Sequence, residues 1–187
     1  MRVIGTVGMP GSGKGEVAAV AREEEIPVVT MGDVIRQESR NRGLDPADHH
    51  GEVAQALREE DGPLAIAERS LPLIEETLED YETILVDGLR SGVEAERFEE
   101  RFGEAFTLVA IEAPFELREE RLGTRGRDNP ETEDLATRDE RELGFGMGEA
   151  IDRADIIIEN TDSLEAFRKR IRKLLAGEKT EQEGIER

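Results

Sequence analysis

A glycine-rich run near the amino terminus has the composition of a phosphate-binding loop. Residues 8–15 read Gly-Met-Pro-Gly-Ser-Gly-Lys-Gly and satisfy the spacing G-x-x-x-x-G-K. A short apolar segment, Arg2–Val7, precedes the run, and a segment of helical composition, Glu16–Glu24, follows it. A strand, a glycine turn and a helix in this order direct several backbone N–H groups and the positive end of the helix at one point. We therefore expect this run to bind phosphate.

The lysine of this run supplies the positive charge that a phosphate site needs. Lysine occurs at only four positions (14, 169, 173 and 179), so almost all positive charge in the chain is arginine. The one lysine of the amino-terminal half stands where such a loop requires it. The predicted phosphate contacts are Gly8, Pro10, Gly11, Ser12, Gly13, Lys14, Gly15 and Glu16.

Two further segments place charged side chains just after apolar runs. In the segment 28–36, Thr30 and Asp33 follow an apolar run and Arg36 lies one helical turn later. In the segment 84–90, Asp87 ends an apolar run and is followed by Arg90. A carboxylate at a strand end could hold Mg²⁺, directly or through water, and the arginines could clamp a phosphate. The alternatives are that Arg36 pairs with a surface acid and that Asp87 caps the next helix.

Five arginines flank a short polar stretch, residues 123–130. They are Arg121, Arg125, Arg127, Arg138 and Arg141. Phosphoryl transfer spreads negative charge over equatorial oxygens, and arginines on a closing flap stabilise that charge. In so acidic a chain, an arginine can equally be only an ion-pair partner.

The bulk composition narrows the class of protein. The chain has 187 residues and a net charge of −20, which opposes non-specific binding to nucleic acid or to an anionic membrane. Cysteine is absent, which excludes disulfides, zinc thiolates and thiol nucleophiles. We expect a soluble cytoplasmic protein without a membrane segment or nucleic-acid partner. The excess of acid over lysine and aromatic residues resembles adaptation to high salt.

Apolar runs alternate with helical patterns, which predicts a three-layer α/β fold with a five-stranded parallel sheet flanked by helices. The predicted strands are Arg2–Val7, Pro27–Thr30, Thr83–Val86, Phe106–Glu112 and Asp155–Glu159. The domain is expected to span residues 1–176, with a helical acceptor-binding insert at 39–80, a short lid at 123–130 and a flexible acidic tail at 177–187. Within the insert, Pro72 is expected to break a helix, and His49 and His50 to lie solvated in a turn.

Taken together, these segments resemble the P-loop nucleoside monophosphate kinases, adenylate kinase above all. The loop at residues 8–15 is similar to that family's G-x-P-G-x-G-K-G, residues 30–36 to its monophosphate-binding segment, and residues 86–90 to its D-G-[FY]-P-R segment. The segments 138–149 and 154–160 are similar to an archaeal group labelled adenylate-kinase-related or dephospho-CoA-kinase-like. The resemblance covers about residues 1–175. It departs at Gly15 and Glu16, where the family carries a hydroxyl residue.

The resemblance implies an ATP·Mg²⁺-dependent kinase acting on a small acceptor, most simply a nucleoside monophosphate. It assigns Lys14 to the β- and γ-phosphates, Asp87 to Mg²⁺, and Arg127 and Arg138 to the migrating group. It assigns the binding of the acceptor to Thr30, Asp33, Arg36 and Arg90.

Two alternatives remain open at this point. One is transfer to a ribose hydroxyl, as in dephospho-CoA kinase, with Asp33 as the base. The other is a nucleotide-dependent ATPase with a protein partner. The sequence does not decide between a monomer and a homodimer.

Overall fold

Strands and helices alternate along the chain as the sequence predicts. The computed structural model describes residues 1–124 and 134–178. The strands β1 to β5 are Arg2–Val7, Val28–Thr30, Thr83–Asp87, Phe106–Glu112 and Ile156–Glu159. The α-helices α1 to α9 are Lys14–Glu23, Met31–Asn41, Pro46–Asp61, Ala65–Asp80, Gly92–Phe102, Phe115–Thr124, Leu135–Gly144, Met147–Asp152 and Leu164–Leu175.

The five strands form one parallel sheet in the order β2-β3-β1-β4-β5. Parallel strands need both faces covered, and here helices cover both. Because all strands run the same way, their carboxyl ends share one edge. The strand order switches at β1, with β3 and β2 on one side of it and β4 and β5 on the other. The predicted three-layer α/β fold is confirmed. The glycine run at residues 8–15, directly after β1, lies at this central position.

Two apolar clusters hold the layers together. On one face, α1 and α9 pack against the sheet through Val17, Val20, Phe167 and Ile171. On the other face, helices including α2, α4, α5 and α8 bury a larger cluster that contains Met31, Ile66, Phe98 and Met147. The sheet and its supporting helices thus fix the edge on which charged side chains converge.

The region predicted as a helical insert contains α3 and α4, with two local differences from the prediction. Residues 45–51 are not a turn: Asp45 caps α3 by accepting from Ala47 N at 2.9 Å, Pro46 occupies the first turn, and both histidines are helical. Pro72 does not break α4. Leu71 and Ile74 on either side of it are buried, so packing compensates for the hydrogen bond that proline cannot donate.

The remaining organisational predictions fall at the edges of the described chain. The predicted lid at 123–130 has only its first two residues within α6, and the rest lies outside the described residues, as does the tail beyond 178. Among the described helices, none is long and apolar enough to cross a membrane.

The apolar cluster that α1 and α9 form with the sheet should be sensitive to truncation of its side chains. Phe167 is fully buried in this cluster and also lies beneath the glycine run. Phe167→Ala should lower the free energy of unfolding by about 3–5 kcal/mol through the lost burial and the cavity left behind. Leu164→Ala, on the same helix but 59% exposed, should change it by less than about 0.5 kcal/mol. Chemical denaturation of both variants measures the difference, and equal losses would contradict this packing.

Candidate active site

Three glycines give the loop at residues 8–15 a backbone that other residues do not readily adopt. Gly8, Gly11 and Gly13 have φ values of 149°, 78° and 115°. A Cβ atom at Gly8 would lie 2.4 Å from the carbonyl oxygen of Ile111, and one at Gly13 would lie 2.4 Å from Nδ2 of Asn160. The loop therefore needs glycine both for its conformation and for its close approach to neighbouring chain.

Three elements outside the loop hold it in place. Asn160, just after β5, donates from Nδ2 to the Ser12 carbonyl at 2.8 Å. Arg118 of α6 donates to the Pro10 carbonyl at 3.0 Å. The Gly8 N–H donates to Sδ of Met147 at 3.4 Å. These contacts satisfy the outer polar groups of the loop and leave its inner surface to a ligand.

The loop also contains a buried polar atom that fits a phosphate ligand. The Ser12 side chain is buried, and its hydroxyl has no hydrogen-bond partner among the described residues. A buried hydroxyl without a partner is costly, and a ligand oxygen would remove that cost. Together with the glycine-lined backbone, this hydroxyl fits a group with several acceptor oxygens.

Lys14 lies at the start of α1, and its ammonium folds back onto the loop. It donates to the carbonyl oxygens of Gly8 and, at 3.2 Å, of Met9. Burial lowers the pKa of Lys14 to about 8, although the carboxylates of Asp87 and Glu142 act in the opposite direction. The nearby guanidiniums of Arg90 and Arg118 lower this pKa further. The site therefore holds a cation that its own acids do not fully compensate, and an anion would stabilise it.

A pocket of about 450 Å³ opens beside Lys14, and several of the predicted site residues line it, although only Pro10 and Lys14 of the glycine run do so. Its cationic lining residues are Lys14, Arg36, Arg58, Arg90, Arg138 and Arg141, and its acidic ones are Asp87 and Glu142. Its apolar wall comprises Met31, Ile35, Ile66, Leu89 and Met147. A chain of net charge −20 has here concentrated positive charge around one cavity. Such a cavity attracts small anions.

Arg90 is held in this pocket by acids that the sequence did not suggest. Its guanidinium pairs with Glu142 of α7 at 2.8 Å, and its backbone N–H donates to Glu94 at 2.8 Å. Glu94 is 1% exposed, and burial raises its pKa against the opposing effect of nearby groups such as Arg58, 3.7 Å away. The loop between β3 and α5 is therefore fixed from beneath.

Asp87 ends β3 and faces the same pocket. It does not cap the next helix, because Ser91 caps α5 through its hydroxyl, which accepts from the Glu94 N–H. The Thr6 hydroxyl lies 3.4 Å from Asp87 Oδ1. The described residues contain no cluster of three or more metal-ligating side chains. A single carboxylate beside a phosphate site suits Mg²⁺, which keeps waters and takes its other ligands from substrate phosphates.

Two residues that the sequence predicted as ligand contacts, Asp33 and Glu16, form ion pairs with arginines instead, and a third, Arg127, cannot be placed. Asp33 has a 59% exposed side chain and accepts from Arg36 Nε at 2.9 Å, so Arg36 both lines the pocket and pairs with an acid. Glu16 forms an ion pair with Arg168 of α9. Arg127 lies outside the described residues. Thr30 lines the pocket directly before α2.

Sequence reasoning missed the contribution of α3 to the pocket. His50 and Arg58 both line it, and they share a helix face with the buried residues Ala54 and Leu57. Their spacing of four and three residues is that of one helical face, and this was the available signal. It was overlooked because residues 45–51 were interpreted as a turn.

Arg118 was also missed, and it connects the two helices on either side of residues 125–133. It is buried in α6 and forms a bidentate pair with Asp139 of α7 at 2.7 and 2.8 Å. The same guanidinium lies over the Phe115 ring. It therefore positions α7, which carries Arg138, Arg141 and Glu142, relative to the glycine loop.

Comparison with known proteins agrees with this architecture. Residues 7–136 match the family described as AAA domain. A UPF0200 protein of Halobacterium salinarum is 60% identical over 179 residues, which cover 95% of this chain and 94% of that protein. The solved structure of TT1252 from Thermus thermophilus has a TM-score of 0.66 at 22% identity, over 94% of this chain and 97% of that one.

A shikimate kinase of Acinetobacter baumannii, solved in complex with shikimate, has a TM-score of 0.56 at 20% identity, over 94% of this chain and 91% of that one. At this identity the likeness concerns the fold alone. With one family profile over most of the chain and a relative of 60% identity, the protein belongs to the UPF0200 family, and its AAA-family domain has the fold of the P-loop kinases.

Proposed function

We propose that this protein is an ATP-dependent kinase that transfers the γ-phosphoryl group of ATP to a small acceptor, a nucleoside monophosphate. One observation carries the proposal: a single pocket brings Lys14 of the glycine loop together with Arg36, Arg90 and Arg138, beside the carboxylate of Asp87. A phosphate-binding loop with a buried lysine accounts for the donor. The arginines beyond it account for a second anionic substrate.

The glycine loop and Lys14 would hold the β- and γ-phosphates of ATP. The amides at the start of α1 and the Lys14 ammonium supply donors and positive charge, and the unpartnered Ser12 hydroxyl supplies one donor more. Lys14 would leave the Gly8 and Met9 carbonyls for the stronger charge of a phosphate. Asp87 would hold Mg²⁺, which supplies neutralisation of the phosphate charge when bound.

Arg36 and Arg90 would hold the acceptor, and Arg138 would face the transferring group. In the transfer, an acceptor oxygen forms a bond to the γ-phosphorus while the bond to the β–γ bridging oxygen breaks, and ADP leaves with that electron pair. Catalysis would consist of positioning and charge stabilisation, without a covalent intermediate.

A phosphate acceptor is favoured over a hydroxyl acceptor by the placement of the carboxylates. A phosphate oxygen is already deprotonated, whereas a hydroxyl must lose its proton to a base. Asp33, the base considered for a ribose hydroxyl, is exposed and paired with Arg36. The described acids that face the pocket are Asp87 and Glu142, and Glu142 is paired with Arg90.

An acceptor panel tests the proposal directly. ADP formation would be followed at molar KCl with ATP and Mg²⁺, against AMP, GMP, CMP, UMP, their deoxy forms and dephospho-CoA. We expect acceptor-dependent ADP formation with at least one monophosphate. Turnover of dephospho-CoA alone would show that the acceptor group is a ribose hydroxyl and not a monophosphate. Slow hydrolysis without any acceptor dependence would favour a nucleotide-dependent ATPase with a protein partner.

Removal of the Lys14 side chain should weaken ATP binding. Lys14→Ala loses a charge-assisted contact to phosphate, and the dissociation constant should rise by roughly 10- to 100-fold. Lys169→Ala, which removes an exposed lysine of α9, serves as the matched control and should bind ATP as the parent does. Isothermal titration calorimetry measures both. Unchanged affinity in Lys14→Ala would refute the proposed role of the loop.

The lowered pKa of Lys14 predicts how ATP affinity depends on pH. Above a pKa of about 8 the free protein progressively loses the ammonium charge, whereas a bound phosphate favours the charged form. The ATP dissociation constant should therefore rise with pH above about 8, by up to about tenfold per unit. In Lys14→Arg the guanidinium stays charged, so this rise should disappear. A rise of the same size in both proteins would exclude Lys14 as its cause.

A further inference from the structure

Two adjacent histidines in α3 lie in different environments. The His49 side chain is 38% exposed and does not line the pocket, and its Nδ1 lies 2.9 Å from Oε2 of the exposed Glu52. His50 is half-buried and lines the pocket beside Lys14. The side chain at position 50 therefore faces the proposed acceptor, and its neighbour does not.

The His50 imidazole and the Arg36 guanidinium converge over one residue of α2. A Cβ atom at Gly32 would lie 3.2 Å from Nη1 of Arg36 and 3.4 Å from Nε2 of His50. A side chain at position 32 would crowd both nitrogens, so glycine lets them lie close to the α2 backbone. Two side-chain donors from different helices thus approach the same small volume.

This volume lies at the amino-terminal end of α2, which adds backbone donors to the two side chains. Thr30 precedes the helix, and its side chain does not cap it. The first N–H groups of a helix have no partner within the helix, and they favour a negative charge. The convergence of side-chain and backbone donors, at a pocket wall, has the composition of a site for one multiply charged anion.

The charged groups that shift the pKa of His50 are all arginines, and they come from three parts of the chain. Arg36 of α2, Arg58 of α3 and Arg90 of the loop after β3 all act to lower the pKa of His50, together with its burial, which is the largest cause. A hydrogen bond with the backbone of Gly32 acts in the opposite direction. The acids of the same surroundings face other cations: Asp33 pairs with Arg36, Glu142 pairs with Arg90, and the buried Glu94 lies 3.7 Å from Arg58. Asp87, which also lines the pocket, acts on the Lys14 ammonium. Burial and these guanidiniums therefore favour the neutral imidazole while the pocket holds no anion.

We propose that His50 is an acceptor-binding residue: with Arg36 it holds the phosphate group of the acceptor over Gly32, and it takes up a proton when that group binds. The proposal rests on the proposed kinase function, and it assigns a further residue to the binding of the acceptor's phosphate monoester. A phosphate dianion offers three strong acceptor oxygens, enough for the arginine, the imidazolium and the helix N–H groups together. Its charge offsets the three arginines that otherwise keep the imidazole neutral.

The proton uptake can be observed without turnover, because the chain contains only two histidines. In His49→Gln, the single remaining imidazole is His50, and its titration can be followed by NMR. We expect a pKa below the ordinary histidine value in the free protein and a rise of about one unit or more, a tenfold shift in proton affinity, with saturating AMP. Adenosine, which lacks the phosphate, should leave the pKa unchanged, and inorganic phosphate should raise it.

Affinity measurements on a matched pair of variants complete the test. His50→Gln keeps a polar side chain but cannot take up the proton, and it should weaken AMP binding by roughly tenfold at pH 6.5. His49→Gln should bind AMP as the parent does. In the parent the AMP dissociation constant should rise with pH through the bound-state pKa of His50, and this part of the pH profile should be absent in His50→Gln. Unchanged ATP affinity and thermal midpoint would show that each variant is folded.

The results separate this inference from the proposed function. A His50 pKa that no nucleoside monophosphate and no inorganic phosphate raises, or that adenosine raises equally, overturns the role of His50 even if the protein is an active kinase. A pKa that rises with AMP while no acceptor yields ADP supports the binding site and refutes the kinase. Equal AMP affinity in His50→Gln and His49→Gln also overturns the inference.

Discussion

The burial of the Lys14 ammonium at the central edge of the sheet is the constraint on which the rest of the site depends. A cation removed from water is costly unless opposite charge or hydrogen bonds compensate it. Here the compensation is incomplete: two loop carbonyls accept from it, Asp87 and Glu142 act at longer range, and the pKa still falls to about 8. The surrounding structure holds this uncompensated charge in position, and a phosphate would complete its environment.

The packing around the loop explains how the structure sustains that cost. Glycine at positions 8 and 13 lets the backbone approach Ile111 and Asn160 more closely than any side chain would allow. Asn160, Arg118 and Met147 then bond to the outer side of the loop from three different elements. Met147 belongs to one apolar cluster, and β5, which precedes Asn160, contributes Ile158 to the other, so the packing of the core helps to hold the charged loop in position.

Charged side chains are balanced differently on the surface of this protein and in its pocket. On the surface, arginines pair with abundant acids, as Arg168 does with Glu16 and Arg42 with Glu60, and exposed pairs of this kind contribute little individually. In the pocket, cations outnumber acids among the described residues. The partly buried pairs Arg90–Glu142 and Arg118–Asp139 orient helices rather than neutralise the cavity. An acidic protein can thus present a positively charged site to an anionic substrate.

The sequence by itself determined where the strands lie along the chain and where the loop expected to bind the phosphate donor follows β1. The loop at residues 8–15 and the apolar runs are local signals for which spacing and residue type suffice. All five predicted strands therefore match the observed strands within one residue at each end, and Asp87 falls at the end of β3. Tertiary structure alone decided which charged side chains meet. Asp33 and Arg36 are three residues apart, yet only Arg36 lines the pocket, while His50, Arg58 and Glu142 arrive from distant segments. Such convergence depends on how α3 and α7 pack over the sheet edge. Local spacing can show which residues of a helix share a face, but it does not show which distant segment that face meets.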